Sequence, residues 1–253
     1  MRYLVSIMLF VLSVFAKDIT ATYRVSFGIF GQIGTAKTTL HVEDGRYKIT
    51  IEAKSTGFAA FISGNRVEYY ESKGLLVDGF LVPDIYKKVV QKSVSAGEDR
   101  RVLKRYILTY NFNHKNKTVT ATKIKIKGKQ KNQAVKKLKF YTNNDILSLF
   151  FNFKKLFPSL ELKKEHTLYA VGAEKNTGKI ELFPLGKKEF SKLIDVKSKN
   201  LKFLKVVLKD RIFGSKKGEL YLALDSSGFC QKAVLKDVIF FGDIRGERIE
   251  KNY

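Results

Sequence analysis

From residue 22 the chain alternates apolar and polar positions with a period of two. Tyr23, Val25, Phe27 and Ile29 point one way, and Thr22, Arg24, Ser26 and Gly28 the other. Ala36, Thr38, Leu40 and Val42 repeat the pattern, as do Tyr47, Ile49, Ile51 and Ala53. Asp44-Gly45 separates these two runs and has the left-handed tolerance of a tight hairpin. Gly31 and Gly34 mark the bend before them. Such alternation predicts an antiparallel meander with one polar face.

The alternation breaks over residues 56–64, which read as one helical turn or an apolar loop. Strand-like text returns at 66–72 and 79–90, where Pro83 calls for an edge position or a bulge. Residues 106–112 alternate again, a polar turn follows at 113–116, and 118–127 form another strand. One helix is predicted. Asn143-Asn144-Asp145 supplies N-cap chemistry, and Ile146, Leu149, Phe150, Phe153 and Leu156 recur at helical spacing until Pro158. Leu147 and Phe151 add a second apolar stripe, so the helix should be buried against the concave face of a sheet. Further strands are expected near 166–172, 179–185, 201–210, 218–224 and 229–241. The expected fold is mainly β: a curved antiparallel sheet, an incomplete β-barrel, wrapped around one buried α-helix. No repeat or linker divides the chain, so residues 17–253 read as a single domain, with a soft boundary in the polar stretch 128–139.

The first residues read differently. Arg2 precedes an apolar run ending at Phe15, and Val14 and Ala16 place small residues at −3 and −1 of a cleavage site. The run falls short of the roughly 20 residues that a spanning helix needs. Residues 1–16 are therefore expected to be a signal peptide cleaved near Ala16, with the rest periplasmic or secreted; the alternative is an uncleaved anchor.

Charge narrows the partners. The chain has 48 Lys and Arg against 24 Asp and Glu, a net charge of +24. That balance points to anionic partners such as lipid head groups or an acidic polymer. The 38 Lys against 10 Arg, together with export, argue against nucleic acid, for which the planar Arg fork is the usual reader. The bland alternative is a lysine excess of purely compositional origin. Lone Cys230 permits no intramolecular disulfide and reads as a buried thiol in the apolar stretch 229–235.

Catalytic chemistry is sparse. His41, His114 and His166 stand apart, with no partner at metal-ligand spacing. There is no nucleophile elbow. Residues 172–179 (GAEKNTGK) miss the phosphate-loop spacing, and Ile180 stands where Ser or Thr is needed. No enzyme activity, metal or cofactor is expected.

Two features remain. Residues 104–144 carry 12 basic and no acidic residues. Within them Lys123, Lys125 and Lys127 share one strand face, opposite Ile124 and Ile126. This stripe could contact an anionic head group or membrane surface, at about 1 kcal/mol per basic residue near lipid, or could be a solvated strand edge kept from aggregating by its lysines. Phenylalanines also crowd the helix. They read as ordinary core, or as an apolar cavity for an acyl chain lined by Leu149, Phe150, Phe153 and Phe157.

Four places carry a family resemblance. They are the opening strand and glycine-marked turn over 23–36, Ser55-Thr56-Gly57-Phe58 ahead of RVEYYES at 66–72, Asp145-Ile146-Leu147-Ser148, and VIFFGDIRGERI at 238–249. In this order they resemble exported bacterial proteins of the domain of unknown function 3108 family, which tends to carry Asp-Pro-Leu-Ser where Ile146 replaces the proline here. The resemblance implies an envelope protein without an established activity and a fold similar to the lipoprotein-carrier type. The expected function is a binding or carrier protein for an amphipathic, anionic envelope molecule, a lipid or acyl chain. The alternative is a structural or interaction module for an anionic polymer or a protein partner.

Overall fold

A computed structural model describes residues 17–252, apart from 58–59, 61–62, 96–100, 209–216 and 239–241. Residues 1–16, expected to be a leader cleaved near Ala16, lie outside the described residues. Within them, no helix is long and apolar enough to cross a membrane.

One antiparallel sheet of 14 strands makes up most of the molecule. The first eight form a meander: β1 (Lys17–Phe27), β2 (Gln32–Glu43), β3 (Arg46–Ser55), β4 (Val67–Val77), β5 (Phe80–Ser95), β6 (Arg101–Asn113), β7 (Thr118–Lys127) and β8 (Gln130–Lys137). The chain then crosses to the far edge through helix α1 (Ile146–Leu156) and returns through β9 (His166–Tyr169), β10 (Lys179–Pro184), β11 (Lys202–Val207), β12 (Glu219–Leu224), β13 (Cys230–Val238) and β14 (Gly242–Asn252). β14 pairs with β1, so the first and last strands meet mid-sheet and β8 and β9 are the two edges.

Local chemistry explains the turns. Asp44-Gly45 and Asp78-Gly79 all have positive φ, between 49° and 74°, the conformation that two-residue hairpins need. Pro83 falls at a register shift between β4 and β5, where it pairs with Gly74. It is the bulge anticipated above, in an interior strand. A Cβ on Gly74 would sit 1.9 Å from the Val82 carbonyl oxygen, so only glycine allows the backbones to approach this closely.

The sheet is not closed, but it curls. Gly172, just beyond β9, lies against the Tyr86 ring of β5, although nine strands of the sheet order stand between them. The crossing segment ties both halves together: Leu138 N donates to Val119 O (2.9 Å), Val171 N to Asn144 O (2.9 Å) and Ile146 N to Val171 O (3.0 Å). Helix α1 packs between them. Its Leu149 and Phe153 join the core of the β9–β14 half, and its Leu147 joins that of the β1–β7 half.

The helix differs from expectation in degree. Leu147, Ser148, Leu149, Asn152 and Phe153 are buried, while Leu156 is 38% exposed, because the sheet covers only part of its circumference. It is also accompanied by a second, short helix, α2 (Lys187–Phe190), on the opposite face of the sheet. There Phe190, fully buried, packs on Phe203 with ring centroids 5.1 Å apart and covers Ala223. The polar stretch 128–139 contains edge strand β8, which pairs with β7 and is exposed throughout. The strand expected over 229–241 is β13, with residues 239–241 outside the described set, and β14 begins beyond that range at Gly242.

Candidate functional site

Directly opposed residues of an antiparallel ladder share a face, and this rule places the predicted lysines. Val119 is fully buried in the core beneath the helix. No register shift interrupts β7, so Ala121, Lys123, Lys125 and Lys127 continue along that same face. The lysine face is therefore the concave face. Over the roughly 26 Å from Val119 to Lys127 it passes from packed core to cations, and Ile124 and Ile126 are turned to the convex side.

The neighbouring strands extend the face. Lys123 is opposite Leu108, which is opposite Lys88, then Tyr70, Ile51, Thr38 and Ala21 in successive strands. One step toward the open end, Lys125 is opposite Tyr106, followed by Val90 and Glu68. One step further, Lys127, Lys104 and Lys92 stand directly opposite one another. This corrects the edge reading of the lysine strand: β7 is interior to the sheet, and β8 is the edge.

Side chains within this face are organised. Glu68 is buried; it accepts from Arg66 Nε at 2.7 Å and from the Tyr70 hydroxyl in a short hydrogen bond. Lys88 lies over the Tyr70 ring, 5.1 Å from its centroid. Burial pushes the Lys88 ammonium below its ordinary range, against the pull of Glu68. Lys123 lies 5.6 Å from the Tyr106 ring centroid. Thr38 is 6% exposed, and its hydroxyl has no hydrogen-bond partner among the described residues. An orphaned buried hydroxyl is uncommon enough to call for an explanation.

The predicted apolar residues are in a different environment. Leu149 and Phe153 are 6% exposed and packed among Leu160, Leu182, Leu204 and Leu224. Phe150 and Phe157 pack on the margin of that cluster, with the Phe153 and Phe157 rings 4.9 Å apart. All four pack in or against this core, and the lysines occupy the other end of the concave face. Two clefts, of about 450 and 410 Å³, lie elsewhere; one runs between the segment after α2 and β13–β14, and the other beside His41 and Lys48.

His41 is clamped between Asp18 (2.5 Å) and Glu43 (3.2 Å), whose hydrogen bonds raise its pKa. His114 meets the Tyr141 hydroxyl at 2.6 Å and the Pro83 carbonyl at 2.9 Å. His166 meets the Phe157 ring edge-on. Cys230 is buried, which pushes its thiol up to about 12.

Sequence reasoning missed Arg66, Glu68, Tyr70, Lys88, Lys92 and Lys104 as a group. The signal was present in the alternation of RVEYYES and of 86–92, but only the register shows that these strands present their charged positions to one hollow.

No family model matches the chain, and no curated protein does. Among solved structures it is similar to a beta-barrel-like protein of domain of unknown function DUF1849 from Brucella abortus, at 11% identity and a TM-score of 0.47, over 95% of this chain and 99% of that one.

Proposed function

We propose that the concave face binds an amphipathic anion, a lipid or acyl chain with a charged head group, and that the protein is a binding or carrier protein rather than an enzyme. The observation that carries this reading is the continuity of one face: Val119 in the apolar core leads directly to Lys123, Lys125 and Lys127. The chain of the ligand lies toward the tyrosine-lined middle of the hollow, near Ile51, Tyr70 and Leu108, and its head group lies on the lysines. The Thr38 hydroxyl lies beyond Ile51 in the same row, on the side of the hollow away from the lysines. Such a face suits a molecule with one apolar and one anionic end, because each end gains only in its own half. A ligand of this class accords with the exported, envelope setting that the leader suggests.

Titration with the fluorescent fatty acid cis-parinaric acid tests the reading. Saturable uptake is expected, weakened by Lys123→Gln/Lys125→Gln. The variant Lys131→Gln/Lys137→Gln removes the same charge from the convex side of β8 and should leave uptake unchanged. Absence of uptake, together with salt-sensitive binding of an anionic polymer, would favour an interaction module instead.

A further inference from the structure

The row Lys92, Lys104 and Lys127 carries an inference about the ligand's head group, and it rests on the binding reading above. These three lysines come from β5, β6 and β7 and occupy directly opposed ladder positions on the concave face. Opposed side chains in such a ladder stand about 5 Å apart at Cβ, and like charges placed there repel. Lys125 lies one concave-facing position away along β7, about 7 Å further. The result is a grid of cations with a spacing of roughly 5–7 Å.

Nothing described on this face neutralises it. Lys92, Lys104, Lys125 and Lys127 form no ion pair among the described residues, and the one carboxylate in the adjoining row, Glu68, already accepts from Arg66 and Tyr70. Glu98 and Asp99 lie outside the described residues. The same strands place apolar residues on the opposite, convex side: Ile124 and Ile126, and Leu103, which is 49% exposed. The usual distribution, with apolar residues inward and lysines outward, is therefore reversed at this end. A concave, one-signed surface concentrates counter-ions, and here it sets several cations within reach of one bound group. Lys104, Lys125 and Lys127 are exposed and Lys92 is half-buried, so the grid is accessible.

We infer that this grid selects a head group bearing at least two adjacent phosphate-like charges in preference to a singly charged one. A single carboxylate or phosphate sets at most two negative charges against the four lysines and leaves the grid incompletely neutralised. A diphosphate, or two phosphates on neighbouring positions of a head group, spans the row and relieves the repulsion between its members.

Three ligands with one apolar chain separate this inference from the reading beneath it: farnesol, farnesyl monophosphate and farnesyl diphosphate, titrated against the full exported protein by calorimetry, with inorganic pyrophosphate as a fourth arm. The diphosphate is expected to bind at least 5-fold tighter than the monophosphate, the scale of one additional lysine contact. Lys104→Gln/Lys127→Gln should reduce that ratio to below 2-fold, and Lys131→Gln/Lys137→Gln should preserve it. Equal affinity for the monophosphate and the diphosphate, both above farnesol, would overturn the head-group selection while leaving the binding reading intact, whereas farnesol binding as tightly as either would overturn the anionic reading as well. Pyrophosphate binding as tightly as farnesyl diphosphate would overturn the lipid-borne head group. Failure of every arm would overturn both. Circular dichroism of each variant establishes that the fold is retained.

Discussion

Ser72 donates a hydrogen bond of 2.5 Å to Asp145, and both side chains are fully buried. The bond fastens β4 to the N-cap of helix α1. Asp145 also accepts from the amides of Leu147 (2.7 Å) and Ser148 (2.9 Å), while the Ser148 hydroxyl accepts from the Asp145 amide at 3.0 Å, completing a capping box. The Tyr47 hydroxyl extends the network, 2.8 Å from Ser72 Oγ. Asn152, two turns along, bonds both the amide and the carbonyl of Leu81, at 2.9 and 3.0 Å. The helix is thus docked on the β4–β5 hairpin by polar contacts as well as by its apolar stripe.

Burial pushes the Asp145 carboxyl up to about 7, against the hydrogen bonds from Ser72 and the two amides. The folded protein therefore holds this proton more tightly than the unfolded chain, whose carboxyl titrates near 4. Between these two values the native state binds more protons, so unfolding free energy should fall as pH rises from about 4 to about 7, and level off above that. Urea titrations across this range should show that slope, and Asp145→Asn should remove it.

Ser72→Ala deletes a donor to a buried acceptor. The expected cost is about 1–3 kcal/mol, with the sloping part of the pH profile moved upward because the charged carboxyl loses a hydrogen bond. A variant with unchanged stability and profile would mean that the Ser72–Asp145 contact contributes nothing in solution.

Phe153→Ala should cost about 3–5 kcal/mol in denaturant melts, as expected for a large side chain removed from a packed core. Lys104→Gln should do the reverse. Relieving the opposed-lysine row is expected to stabilise the ligand-free protein by about 0.2–1 kcal/mol while weakening anion binding. Stability and binding moving in opposite directions would mark a residue retained for its ligand.

Gly74→Ala should destabilise the β4–β5 hairpin strongly, because the new methyl meets backbone, the Val82 carbonyl, rather than a mobile side chain. Hydrogen exchange across β4 and β5 is the readout, with faster exchange concentrated around the Pro83 bulge.

Much of this architecture was legible in the sequence, for identifiable reasons. The meander and the Asp44-Gly45 turn follow from period-two alternation and a turn pair whose φ values are both positive in the structure. The helix followed from Asp145 and its apolar spacing, and it runs from Ile146 to Leu156 with Asp145 as N-cap. Ile146, where the resembled family tends to carry proline, uses its amide to bond Val171, a contact proline could not make. RVEYYES supplies Glu68, Tyr70 and Ser72 to the concave face, and the closing motif spans the β13–β14 junction.

What was not legible depends on long-range geometry. β8 has no alternation of hydrophobicity, since an exposed edge strand has no buried side to encode. β14 is mostly charged and carries little apolar alternation, so it is its pairing with β1 and β13 that marks it as a strand. Above all, the alternation of Lys123 to Lys127 with isoleucine establishes two faces without saying which is inside. Propensity favours the isoleucines inward, and the register set by Val119 and the helix reverses that choice.

Whether the concave face holds an amphipathic anion is decided by native mass spectrometry of protein expressed with residues 1–16 in place, before and after organic extraction. An adduct of lipid mass is expected, removed by extraction and diminished in Lys123→Gln/Lys125→Gln. A clean apoprotein mass from wild-type protein, unchanged after incubation with farnesyl diphosphate or cis-parinaric acid, would contradict the binding reading.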